Sequence, residues 1–263
     1  MEKMVNKFLP KAKVGQTTIF IIIAVIIVAL AVLIYVFRAE IGDTLGLVEK
    51  NPSDFIQSCL QDEITIFVDT LSLQGGSLEP EHYIAYNGEN INYLCYTNEY
   101  YLTCIVQEPM LKQHIENEIR TATRPLARDC FEELKENYEN SGYSVNMKRG
   151  DVNVELLPKR IVTTLNYSLT LTKGDSSETH EKFSVVLYNN LYELVSIANS
   201  IIELETTYGD IETTTYMTLY KDLKVEKKKQ TDGTTIYILT DRNTENKFQF
   251  ASRSVALPPG YGD

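Results

Sequence analysis

Four cysteines, three histidines, one acidic run and one glycosylation sequon are the residues of this chain whose types and spacing suit chemistry. A structural zinc site needs ligands paired closely along the chain, usually as Cys-x-x-Cys. No such pair occurs among Cys59, Cys95, Cys104 and Cys130, and His82, His114 and His180 lie in three separate segments, so no metal is expected. An even number of cysteines in an oxidising compartment points instead to disulfides, for which four residues allow three pairings. One pairing is favoured: the run INYLCYTNEYYLTCIV has β-rich arms around Thr97-Asn98-Glu99, and a hairpin register centred near Glu99/Tyr100 sets Cys95 opposite Cys104. By elimination Cys59 pairs with Cys130.

Catalytic patterns are missing. The chain has no Gly-x-Ser-x-Gly, no His-Glu-x-x-His and no phosphate-binding glycine loop, and the histidines lack flanking partners. No catalytic residue and no cofactor is expected, and the histidines read as structural. Asp241-Arg242-Asn243-Thr244-Glu245-Asn246 alternates oxygen donors but lacks the sixth-position glycine and terminal glutamate of a calcium loop. It reads as a polar hairpin turn. Asn166-Tyr167-Ser168 is the only sequon, and Asn166 is a candidate for glycosylation on an outward-facing strand.

Position relative to a membrane is better marked. From Ile19 to Phe37 the chain runs nineteen residues without a charge, glycine or proline, fifteen of them Ile, Leu, Val or Phe. At about 1.5 Å per residue this helix covers roughly 28 Å, close to the thickness of a bilayer core. A transmembrane helix over 16–38 is therefore expected. Lys3, Lys7, Lys11 and Lys13 precede the span, whereas Arg38, Glu40 and Asp43 follow it, which places the N-terminus in the cytoplasm and the remainder outside. The run is longer than a signal-peptide core and ends in Tyr35-Val36-Phe37-Arg38 without small residues, so it reads as an anchor.

The charge balance agrees with an outside location. The 263 residues carry 25 Lys+Arg and 36 Asp+Glu; without the four Lys and one Glu of residues 1–37, 21 basic face 35 acidic residues, a formal −14. Such a surface excludes nucleic acid as a partner and is a poor match for anionic lipid head groups.

Beyond the anchor, a connector (39–53) leads to a mainly helical region (54–140) and then to an antiparallel sheet with one helix (141–257). Asn51-Pro52-Ser53-Asp54 opens a helix, with Ser53 or Asp54 as its cap, Ile56, Cys59, Leu60, Phe67 and Leu71 on one face, and Gln74-Gly75-Gly76 as its end. Residues 77–106 are extended and tyrosine-rich, and packing within strands is expected for the tyrosines, with a sugar- or protein-binding surface as the alternative. Pro109 opens a second helix with Met110, Leu111, Ile115, Ile119 and Ala122 on one face, which Pro125 should kink or split. Residues 152–156, 161–171 and 182–187 form an antiparallel meander. Leu191, Leu194, Val195, Ala198, Ile201 and Ile202 form a helix able to cover that sheet, and arms at 235–239 and 247–251 make a second hairpin. Residues 258–263 are a tail. The fold class is thus α+β, a disulfide-tied extracytoplasmic domain behind a transmembrane helix.

Residues 1–15 are basic, and the junction Lys13-Val14-Gly15-Gln16-Thr17-Thr18-Ile19-Phe20 resembles the class III signal peptide of archaeal type IV pilin-like proteins. The resemblance covers about 35 residues. It implies cleavage between Gly15 and Gln16 by a prepilin-type peptidase, release of the helix from the lipid bilayer, and assembly with identical subunits into a filament. Pilins commonly carry a Glu at the fifth mature position, where this chain has Phe20. The helix running from Cys59-Leu60 to Leu73-Gln74-Gly75-Gly76 is also similar to uncharacterised archaeal single-pass membrane proteins, which bring no known activity. Alternative readings are an uncleaved anchor displaying a module for a protein or polysaccharide partner, and an extracytoplasmic enzyme.

Overall fold

The computed structural model describes residues 23–29, 32 and 51–256. The leader, the Gly15–Gln16 junction, most of the expected span, nearly all of the connector and the tail lie outside the described residues. Two units are distinguished, one within Met1–Asn51 and one comprising Pro52–Asp263. In the first, residues 23–29 and 32 are helical, and Ile23, Val25, Ile26, Ile27, Val28 and Val32 are all exposed. Among the described residues no helix is long and apolar enough to cross a membrane.

The second unit is an α+β domain that joins the mainly helical region and the sheet region in one compact body. Helix α1 (Pro52–Leu73) begins at Pro52, so Ser53 and Asp54 sit inside its first turn rather than capping it. Proline is well suited to that first position, because the N–H it lacks has no partner within the helix. The α1 stripe is Ile56, Leu60, Ile64, Val68 and Leu71, with Cys59 and Phe67 half-buried beside it. Helix α2 (Leu111–Asn140) buries Leu111, Ile115, Ile119, Thr123, Ala127, Cys130, Phe131 and Leu134. It is not split at Pro125. That residue lies on the exposed side, as does Thr121, whose carbonyl it deprives of a donor, while the buried stripe continues through Thr123 and Ala127. Met110 precedes the helix and is exposed, and Ala122 is only half-buried.

The meander is present, but each of its three long strands is broken in the middle. Strands β4 (Ser144–Lys148) and β5 (Val152–Leu157) pair with β7 (Ser168–Lys173) and β6 (Arg160–Leu165), which pair in turn with β8 (Ser176–His180) and β9 (Phe183–Leu187). The result is two three-stranded sheets, β4-β7-β8 and β5-β6-β9. At the break a Cβ on Gly150 would overlap the Asn166 carbonyl oxygen, and the Asn166 N–H donates to the Asp151 carbonyl at 2.9 Å. Only glycine allows that approach.

The remaining strands form a six-stranded mixed sheet. Strands β1 (Tyr83–Tyr86), β2 (Glu89–Tyr96), β12 (Lys247–Arg253), β11 (Thr234–Asp241) and β10 (Leu223–Lys229) follow in that order, and β3 (Ile105–Val106) also pairs with β2. The β2–β12 pair is parallel and the other pairs are antiparallel. Helix α3 (Leu191–Tyr208) buries Leu191, Leu194, Val195, Ala198, Ile201 and Ile202 mainly against β12, β11 and β2, and meets the meander chiefly at β5. The meander's β5 and β9 are covered by α2 and α1, which leaves the mixed sheet for α3. A short helix, α4 (Thr214–Leu219), connects α3 to β10.

Both disulfides are formed, Cys59–Cys130 joining α1 to α2 and Cys95–Cys104 joining β2 to the segment before β3. The second does not span a directly opposed pair. Cys95 faces Val106 and Tyr96 faces Ile105, so Cys104 lies just outside the ladder and reaches Cys95 diagonally. The loop 97–104 is held through Tyr101 N–H to Val255 and Thr97 N–H to Arg253, which draws the register off the hairpin expected from local pattern.

Candidate functional site

The chemistry-bearing side chains gather where α3 ends over the mixed sheet. The apolar stripe of α3 continues by helical spacing from Ile201 and Ile202 to Glu205, so this carboxylate is carried into the core and is 2% exposed. Its Oε1 accepts the hydroxyl of Tyr237, and its Oε2 accepts Ser252 Oγ at 3.1 Å. Ser252 Oγ in turn lies 3.5 Å from Cys104 Sγ. Burial pushes the Glu205 pKa up, and these hydroxyls and nearby lysines only partly offset it. The same burial, reinforced by the Glu205 charge, pushes the Tyr237 hydroxyl far up, so it stays protonated and donates.

One turn later the chain reverses at Gly209, whose φ of 77° is left-handed and whose N–H donates to the Glu205 carbonyl at 2.9 Å. That turn delivers Asp210 to the edge strand β10. Lys227 is the direct cross-strand partner of Tyr237, so both side chains leave the sheet on the α3 side. Lys227 Nζ contacts Asp210 Oδ1, donates to the Ile211 carbonyl at 2.9 Å and lies 5.9 Å from the Tyr237 ring centroid. Lys229, two residues on and on the same face, reaches Asp210 Oδ2 at 3.3 Å. Desolvation draws the Lys227 pKa down, opposed by Glu205 and assisted by the Lys229 charge.

Asp210 also borders a cleft of about 470 Å³ between α3, α4 and the link that joins them. Leu204, Ile211 and Tyr216 line it, and Tyr208, Leu219 and Tyr220 stand exposed around it at 67%, 71% and 53%. Three large exposed side chains thus cluster at one cleft. Ser200 Oγ and the Tyr216 hydroxyl, 2.7 Å apart, satisfy each other within it.

The residues singled out by sequence lie elsewhere. His114 Nε2 is 2.8 Å from Ser77 Oγ, and its Nδ1 is 3.7 Å from Glu108 Oε2, an order of groups shared with serine hydrolases. The His114–Glu108 contact exceeds hydrogen-bond range, Asn92 Nδ2 donates to Ser77 Oγ at 3.3 Å, and the Leu78 N–H that would serve an oxyanion is bonded to Glu118 Oε2 at 2.9 Å. The cluster ties the turn after α1 to α2. His82 packs between Tyr93 and Tyr96, and His180 meets Glu178 at 3.0 Å. Of the strand tyrosines, Tyr93 is buried, Tyr86 and Tyr96 are half-buried, and Tyr83, Tyr100 and Tyr101 are exposed.

Asp241 ends β11 at the β11–β12 turn, where its Oδ1 accepts the N–H groups of Asn243 and Thr244 at 2.8 and 3.0 Å and its Oδ2 accepts Asn190 Nδ2 at 2.8 Å. Asn166 is exposed between β6 and β7. Among the described residues no three His, Cys, Asp or Glu side chains gather as a metal site.

Sequence reasoning passed over Glu205, Lys227 and Asp210. The signal for the first was present, because a Glu four residues after Ile201 falls on the apolar stripe; nothing local marks the other two.

The buried carboxyl makes stability depend on pH. Its folded pKa is raised above the ordinary 4.5, so the unfolded chain releases this proton first as pH rises. The stability that the neutral Glu205 supplies is complete below pH 4.5 and is lost as pH climbs through the raised folded value. Glu205→Gln should therefore gain on wild type between pH 4 and 7 in urea denaturation. Glu205→Ala, which strands the Tyr237 and Ser252 hydroxyls, should cost about 2–3 kcal/mol at either pH. A Gln variant that tracks wild type across the range would rule out this titration.

No family model, no curated protein and no solved structure matches the chain.

Proposed function

We propose that this chain is a membrane-anchored, surface-displayed structural protein, a type IV pilin-like subunit processed after Gly15. The observation that carries the reading is the helix at residues 23–29, on which every residue is exposed although all are Ile, Val or Ala. An apolar helix without a polar face requires lipid or other apolar helices around it, the two environments that such a subunit occupies before and after assembly. The disulfide-tied outer domain supports an oxidising, extracytoplasmic location, where such bonds persist.

The test is the N-terminal residue of the membrane-extracted protein, by intact mass and terminal sequencing. Processing predicts a start at Gln16, and Gly15→Leu should leave the leader attached and abolish filaments. A wild-type start at Met1 would refute processing. It would favour the second reading, an uncut anchor that presents a module to a protein or polysaccharide partner, for which the cleft framed by Tyr208, Leu219 and Tyr220 is the supporting feature.

A further inference from the structure

We propose that Lys227 and Asp210 condense to an intramolecular isopeptide bond, locking edge strand β10 to the end of α3. The two groups are already in contact, and each is held from a second side, Lys227 Nζ by the Ile211 carbonyl at 2.9 Å and Asp210 Oδ2 by Lys229 Nζ at 3.3 Å. Reacting groups fixed in this way react as though at very high local concentration.

The surroundings suit the roles. Lys227 has a side chain only 17% exposed, whereas Lys229 is 45% exposed, and burial together with a neighbouring ammonium is what favours the neutral, nucleophilic form of a lysine. Lys229 is placed to balance the charge that develops on Oδ2 when the carboxyl carbon is attacked. Glu205 is occupied by the Tyr237 and Ser252 hydroxyls, which leaves Asp210 as the carboxyl group that Lys227 touches.

The step balances without any co-reactant. The Lys227 Nζ lone pair forms the new C–N bond to Cγ of Asp210, and the Cγ–Oδ1 bond breaks. Two of the three ammonium protons leave with Oδ1 as water, and one stays on the amide nitrogen. Nothing is oxidised or reduced. The bond closes a loop that contains α4 and one wall of the cleft, and it is independent of whether the leader is processed.

The test is mass spectrometry of the full-length, reduced protein. The intact mass should fall one water, about 18 Da, below that calculated for the chain from its observed N-terminal residue, and trypsin should fail to cut after Lys227, yielding a branched peptide that joins Lys227 to Asp210. Lys227→Met and Asp210→Ala should each restore the missing mass. An intact mass equal to that calculated from the observed N-terminal residue, or a tryptic peptide ending at a free Lys227, would overturn the proposal. So would a deficit that persists in Lys227→Met, since that points to a cyclised aspartate.

Discussion

Replacing Gly150 with alanine should destabilise the α+β domain by about 3 kcal/mol or more and lower its Tm by about 6–12 °C. The added methyl would occupy the position of the Asn166 carbonyl oxygen, which is backbone and has no rotamer to give way. Relief requires the β6–β7 link to move, and that link is held by the Asn166 N–H bond to the Asp151 carbonyl and by buried Leu165 and Tyr167 on either side. Tyr167 is stacked on Phe131 of α2 at 4.1 Å between centroids, so the displacement would also open the contact between meander and helix. Thermal melting of the two proteins decides it. A Tm within about 2 °C of wild type would mean that the break in the meander does not depend on this close approach.

The largest effect of a covalent change is expected at Cys59–Cys130. Replacing both residues with alanine should cost about 4 kcal/mol, against about 2.7 kcal/mol for the Cys95–Cys104 pair, because the first closes a far longer loop in the unfolded chain. The sequence separations are 71 and 9. The long loop contains the turn after α1, strands β1 to β3 and most of α2, so without the bond those elements have to find one another as a free chain. Its Cα–Cα distance of 6.1 Å joins two helices whose buried stripes already face each other, so the remaining fold should stay native in outline and be less stable. Urea denaturation of both double variants under non-reducing conditions measures the difference. Equal losses, or a greater loss for the short loop, would contradict the loop-entropy account.

The two disulfides also bear differently on the candidate site. Cys95–Cys104 lies beside it, with Cys104 Sγ next to Ser252, whose hydroxyl donates to Glu205. Cys59–Cys130 lies on the α1–α2 side of the domain. Loss of the short bridge should therefore disturb the Glu205 titration more than its smaller effect on stability suggests, whereas loss of the long bridge should lower stability with that titration intact.

Sequence alone determined the local elements of this protein. The three long helices follow from apolar residues recurring every three to four positions, and the strands of the meander and of the β11–β12 hairpin follow from alternation between turn signals such as Lys173-Gly174-Asp175 and Asp241–Asn246. Both patterns are legible because they depend on neighbours along the chain. They state that a face is buried without stating what buries it. Tertiary structure alone decided that β12 lies parallel to β2, that α3 covers this mixed sheet, and that Cys95 meets Cys104 from outside the ladder. It also decided the site. Glu205 could be read as an acid on an apolar stripe, but Tyr237 and Ser252 come from two neighbouring strands, Lys227 from the edge strand and Asp210 from the turn after α3. They meet through a cross-strand register and a left-handed turn, because polar groups carried into a core must find partners there, and those partners need share nothing in sequence.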